Sequence, residues 1–130
     1  MALELTLVDT TVVVDLLRGV PAARDFLVGL DRRLLASELT RIEILRGLRS
    51  GERDAAELAF RAFRWVPVDE AIARRAGELG RRWRASHAGI GVVDLVIAAT
   101  ALELDAELAT SNVRHYPMFP DLQPPYSVAT

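Results

Sequence analysis

Short apolar runs alternate with longer amphipathic ones along this chain, and that alternation most restricts what it can fold into. Residues 5–8 (LTLV) predict a short buried strand. Residues 10–18 and 21–30 carry helical patterning, with Pro21 suited to a first helical turn. Residues 33–36 predict a second strand, and Ser37 an N-cap for a helix over 38–48 that ends near Gly47 and Gly51. Helices are predicted over 52–63 and 69–86, the second capped by Asp69. Between them Trp65, Val66 and Val68 suit a short strand that Pro67 keeps at a sheet edge. A helix over 93–104 and a strand from Glu107 to Thr110 follow, and the four prolines after Tyr116 predict mostly loop. Strands alternating with helices predict an α/β fold, a three-layer α/β/α sandwich around a short, mainly parallel sheet. Ligands of such sheets bind beyond the carboxyl ends of the strands.

At 130 residues the chain predicts one domain over 1–130, with 1–4 and 124–130 as peripheral tails. A hydrophobic fraction of 51% against 26% charged excludes disorder. The start MALELTL has no basic region before a long apolar stretch, and no run reaches the roughly 18 apolar residues of a membrane span, so a cytoplasmic protein is expected. A net charge of −2 excludes a uniformly basic nucleic-acid coat but leaves room for a local basic rim. All 16 basic residues are Arg, and Cys is absent. Mechanisms needing a lysine ammonium, a thiolate nucleophile or Cys-ligated zinc are therefore closed.

The acids are unevenly placed. Asp94 is the only charged residue of GIGVVDLVIAATAL (89–102), with Val92, Val93, Leu95, Val96 and Ile97 around it. A helix apolar on all sides is buried, and a buried unpaired carboxylate is costly. Asp94 is thus either an N-cap or a metal ligand or catalytic acid. Asp9 ends the first predicted strand, where it could cap the next helix or serve a site. Glu43, between Ile42 and Ile44, borders an apolar helix face near Leu39 and Arg46, as an exposed acid or a site acid. Glu38 suits a first helical turn, and Asp15 a solvated or Arg-paired helix position. Asn112, beside Thr110 and Ser111, fits turn chemistry just past a strand. His87 and His115 have no partner at zinc-binding spacing and suit surface or loop positions. If Asp9, Glu43 and Asp94 converge, their hard oxygens favour Mg²⁺ or Mn²⁺ over Zn²⁺.

Four segments in order, LVDTTVVVDLLRG (7–19), SELTRIEILRG (37–47), VVDLVIAATALELDAELATSN (92–112) and HYPMFPDL (115–122), make the chain resemble PIN-domain ribonucleases, specifically the VapC toxins of toxin–antitoxin modules. The resemblance covers nearly the whole chain. It implies that Asp9, Glu43 and Asp94 are metal-site acids, with Asn112 at a fourth catalytic position that takes Asp or Asn. Thr10 and Thr110 match hydroxyl residues beside the first and fourth positions. His115 stands where many relatives have Asp, which implies one tightly held metal, a second binding only with substrate. The implied activity is Mg²⁺-dependent endoribonuclease, with Mn²⁺ able to substitute, acting by attack of an activated water to leave a 5′-phosphate. Implied partners are substrate RNA, a VapB-like antitoxin, a second copy in a homodimer, and operator DNA through the antitoxin only.

Arg18, Arg46, Arg49, Arg82, Arg84 and Arg114 are candidates for an RNA-gripping rim, Arg46 first because it lies one helical turn from Glu43. Response-regulator receivers and haloacid-dehalogenase-like phosphatases need a Lys that this chain lacks, and no GK[ST] marks a P-loop. The competing expectation is a PIN-fold module that docks an antitoxin or RNA without cleaving it.

Overall fold

A computed structural model describes residues 4–87 and 89–127. Four strands, β1 (Leu5–Val8), β2 (Arg33–Ser37), β3 (Arg64–Val66) and β4 (Glu107–Ala109), form one sheet in the order β3-β2-β1-β4. Every pairing is parallel, so the expected mainly parallel sheet is wholly so among the described residues. Among the described residues six α-helices connect and cover it: α1 (Thr10–Leu17), α2 (Pro21–Gly29), α3 (Glu38–Arg46), α4 (Arg53–Phe60), α5 (Glu70–Trp83) and α6 (Val92–Leu104).

Local chemistry explains most boundaries. Pro21 opens α2, where its missing N–H is no loss, and the Ser37 hydroxyl accepts from the Leu39 N–H at 3.1 Å to cap α3. The Asp69 carboxylate caps α5 through the Ile72 N–H at 2.9 Å. Gly47 ends α3 one residue after Arg46, earlier than the apolar pattern through Leu48 suggests. β3 lies at an edge as Pro67 requires, but it ends at Val66, so Val68 falls outside it.

Successive strand residues point to opposite faces, and this builds the three layers. Leu7 and Leu35 face a core with Ile72, Leu79, Val96 and Ile97 of α5 and α6. Val8 and Ala36 face the other core, with Val12 and Val13 of α1, Ile44 of α3 and Phe60 of α4. The α5–α6 contact is close at Gly80, where an added Cβ would lie 3.1 Å from Leu95 Cδ1.

Half-buried Asp15 has no Arg partner among the described residues; it accepts a 2.7 Å hydrogen bond from the Tyr126 hydroxyl, and the Tyr126 ring packs against Phe26 at 6.0 Å between centroids. Of the expected tails, residues 1–3 and 128–130 lie outside the described residues. No described helix is long and apolar enough to cross a membrane.

Candidate active site

The parallel register of β1 and β4 sets Val8 opposite Ala109, so the next residues of the two strands, Asp9 and Thr110, emerge side by side at the carboxyl edge of the sheet. Asp9 is buried, with 3% of its surface exposed. One carboxylate oxygen, Oδ1, accepts from the Thr10 N–H at 2.7 Å, and Oδ2 accepts from the Thr110 hydroxyl at 2.5 Å. Asp9 is therefore the N-cap of α1 through one oxygen and the partner of β4's end through the other. The two readings were never exclusive, because a cap uses one oxygen and leaves the other.

Glu43 reaches the same edge from α3. Its Oε1 accepts from the Thr10 hydroxyl at 2.7 Å, and that hydroxyl is also hydrogen-bonded to Thr40 at 3.0 Å. Glu43 is half-buried, not an exposed helix acid.

Asp94 is the third residue of α6, whose N-cap is Gly91, so the capping role is excluded. Both carboxylate oxygens are gripped from one neighbouring dipeptide. His115 Nδ1 lies 2.8 Å from Oδ2, and the Tyr116 hydroxyl donates to Oδ1 at 3.2 Å. His115 is exposed, as its expected surface position implies, whereas Tyr116 begins the expected loop as a buried residue. Tyr116 is in fact 1% exposed, and a buried phenol needs a polar partner. That need was legible; the partner's identity was not.

Burial, the largest cause, raises the Asp9 carboxyl above its ordinary value, against the lowering effect of the Thr110 and Thr10 hydrogen bonds. Repulsion from Asp94 and Glu43 raises it further, which places each of them in electrostatic reach of Asp9. The Tyr116 phenol is raised by burial first and then by the charges of Asp9 and Asp94, so it stays neutral and able to donate. Asn112 lies two residues past Thr110. Its N–H donates to Thr110 Oγ1 at 3.0 Å, while its side chain is exposed.

Among the proposed rim residues Arg18 is committed to Glu52 at 3.2 Å, and Arg82 sits over the Trp83 ring at 5.9 Å. Arg46, Arg49, Arg84 and Arg114 have no ion pair among the described residues.

Residues 6–118 match the PIN domain family. Ribonuclease VapC19 of Mycobacterium tuberculosis is 55% identical over 123 residues, spanning 92% of this chain and 98% of that protein. The chain belongs to the VapC family of PIN-domain proteins. The resemblance carried by the four sequence segments is borne out. A toxin–antitoxin complex from Klebsiella pneumoniae has a chain that superposes with a TM-score of 0.80 at 24% identity, covering 95% of this chain and 99% of that one. VapBC2 from Rickettsia felis, bound to a DNA fragment from its promoter, gives a TM-score of 0.81 at 18% identity over 92% and 96% of the two chains.

The donor chemistry of this VapC-family site fits a hard divalent cation. Neither Asp9 nor Glu43 has an Arg ion pair among the described residues, and Asp94 has only His115. A buried acid facing two others without a countercharge leaves negative potential that a cation matches. Among the described residues, however, no three acid or His side chains stand close enough to close a metal shell by themselves. Mg²⁺ tolerates this better than Zn²⁺, because it keeps several waters and takes only one or two carboxylates directly.

Proposed function

We propose that the chain is a metal-dependent endoribonuclease toxin whose catalytic residues are Asp9, Glu43, Asp94 and Asn112. The observation that carries this reading is Asp9, buried at the carboxyl end of β1 with its oxygens held by the Thr10 N–H and the Thr110 hydroxyl. Asp9, Glu43 and Asp94 would hold Mg²⁺, or Mn²⁺ in its place, in part through waters that the ion keeps, and the ion would supply a water of lowered pKa and positive charge against the phosphate.

The chain's own residues hold that arrangement. The Thr10 N–H and the Thr110 hydroxyl fix Asp9, and the Thr10 hydroxyl turns Glu43 toward it. His115 and Tyr116 orient Asp94. The exposed Asn112 amide can donate to a phosphate oxygen. No Lys or Cys is needed, in keeping with their absence.

The partners we assign are RNA as substrate, a VapB-like antitoxin, a second copy of the chain, and operator DNA through the antitoxin. Support comes from the shared fold of the Klebsiella toxin–antitoxin complex and the DNA-bound Rickettsia VapBC2. We take residues 1–130 as one domain acting in the cytoplasm.

The test is incubation of the purified chain with RNA in Mg²⁺, in Mn²⁺ and in chelator. Cleavage only with metal, leaving 5′-phosphate ends and lost in Asp9→Asn, is expected. Cleavage that survives chelation or Asp9→Asn would overturn the assignment. Specific RNA binding with no cleavage in any metal would make the chain a docking module instead.

A further inference from the structure

The segment from Thr110 to Tyr116 is pinned at both ends to site acids. Thr110 donates to Asp9, and His115 and Tyr116 hold Asp94. Between the pins this segment borders an open cavity of about 530 Å³, lined by Ser111, Asn112, Val113, Arg114, His115 and Pro124. That volume lies within the usual range for small-ligand pockets.

Its lining has a particular chemistry. Val113 and Pro124 offer apolar surface, and the His115 ring and Arg114 guanidinium offer flat faces. The Asn112 amide and the Arg114 guanidinium have no side-chain hydrogen bond among the described residues, whereas Arg18, Arg41, Arg74 and Arg75 are each tied to a carboxylate. Flat faces for stacking, with unused donors and acceptors at the edge, are what an unpaired nucleobase requires. A phosphate alone would need no apolar wall.

Resting on the ribonuclease reading above, we propose that this cavity seats one unpaired base of the RNA beside the bond that is cut, with Arg114 as its main specificity-determining residue. The base stacks on the Arg114 and His115 planes, and the Asn112 amide reads its edge. Because His115 also holds Asp94, a filled seat places the adjoining phosphodiester next to the acids.

The experiment uses the full chain, Mn²⁺ and a pool of short single-stranded RNAs of randomised sequence, with the cleaved ends sequenced. The unaltered chain is expected to prefer one base at one position flanking the cut. Arg114→Ala should weaken that preference and raise KM by about fivefold or more, with little change in kcat. Mn²⁺ uptake, read by electron paramagnetic resonance without RNA, should not change. Val113→Glu, which puts a negative charge on the apolar wall, should weaken the same preference, with folding checked by circular dichroism. Cleavage by the unaltered chain with no base preference, or a preference untouched in both variants, would overturn the seat and leave the ribonuclease reading standing. A fall in kcat alone on Arg114→Ala would also overturn it. No cleavage of any RNA by the unaltered chain would overturn the ribonuclease reading and the seat together.

Discussion

Thr10 and Glu43, separated by 33 residues of sequence, meet in a 2.7 Å hydrogen bond that joins the start of α1 to the middle of α3. The same residue's N–H binds Asp9, so Thr10 ties two of the three acids together. Thr10→Val keeps the shape and the N–H and removes only the hydroxyl. Hydrogen bonds to charged groups are worth roughly 1.5–3 kcal/mol, so kcat/KM on RNA should fall by about tenfold or more. The melting temperature should fall by several degrees, and kinetics well below it together with thermal denaturation checks both. Unchanged kcat/KM would remove Thr10 from the site.

Asp9 gives a pH dependence with a definite sign. Its folded pKa is raised, so the neutral form is favoured by folding. The associated stability is present below the ordinary carboxyl value and is lost as pH rises through the folded pKa. In chelator, the unaltered chain should therefore lose stability on going from acid toward neutral pH. Asp9→Asn should remove that loss, melt higher than the unaltered chain at pH 7, and cleave nothing. Parallel melting curves in chelator from pH 4 to 8 test it, and an Asn variant that melts lower at pH 7 contradicts it.

Divalent cation should act on stability as well as activity. Binding to the folded chain alone stabilises by about 2.7 kcal/mol at a concentration one hundred times Kd. Mg²⁺ or Mn²⁺ should raise the melting temperature of the unaltered chain in a concentration-dependent way and leave Asp9→Asn and Asp94→Asn nearly unmoved. Equal shifts in all three would place the cation elsewhere.

Tyr116→Phe removes the hydroxyl that holds Asp94 and keeps the ring buried against Phe119, 6.4 Å away between centroids. Asp94 is then held by His115 alone. Mn²⁺ affinity measured by calorimetry should weaken by about threefold to tenfold, the value of one modest hydrogen bond. Unaltered affinity would make Tyr116 a packing residue only.

Gly80 is set by α6. An added Cβ would meet Leu95 Cδ1 at 3.1 Å, a flexible end that can shift by a few tenths of an ångström for Ala but not for a branched side chain. Gly80→Val should destabilise by about 1–3 kcal/mol through overpacking, whereas Gly80→Ala should be near neutral as helix propensity offsets the contact. Denaturant titration separates the two.

The element order and three of the four helix caps expected, Ser37, Asp69 and Asp9, were legible because the signals are local. Hydrophobic period, Pro21, Pro67 and a polar residue ahead of an apolar run act within a few residues of chain. Asp94 was legible as an anomaly, a lone charge in an apolar helix, but its capping alternative fell only when Gly91 took that position. Asp15 was legible as a partly solvated helix position, but its partner was not, because Tyr126 lies 111 residues away.

Sequence alone determined that this chain makes parallel α/β layers and that acids sit at the strand and helix positions where such sheets build sites. Backbone propensity and burial periodicity depend on near neighbours, so they are written locally. Tertiary structure alone decided which groups hold those acids. Thr110 reaches Asp9 across 101 residues, and His115 and Tyr116 reach Asp94 across 21 and 22. A buried carboxylate demands a donor but does not name one; the parallel register of β1 and β4 and the path of the chain beyond β4 do.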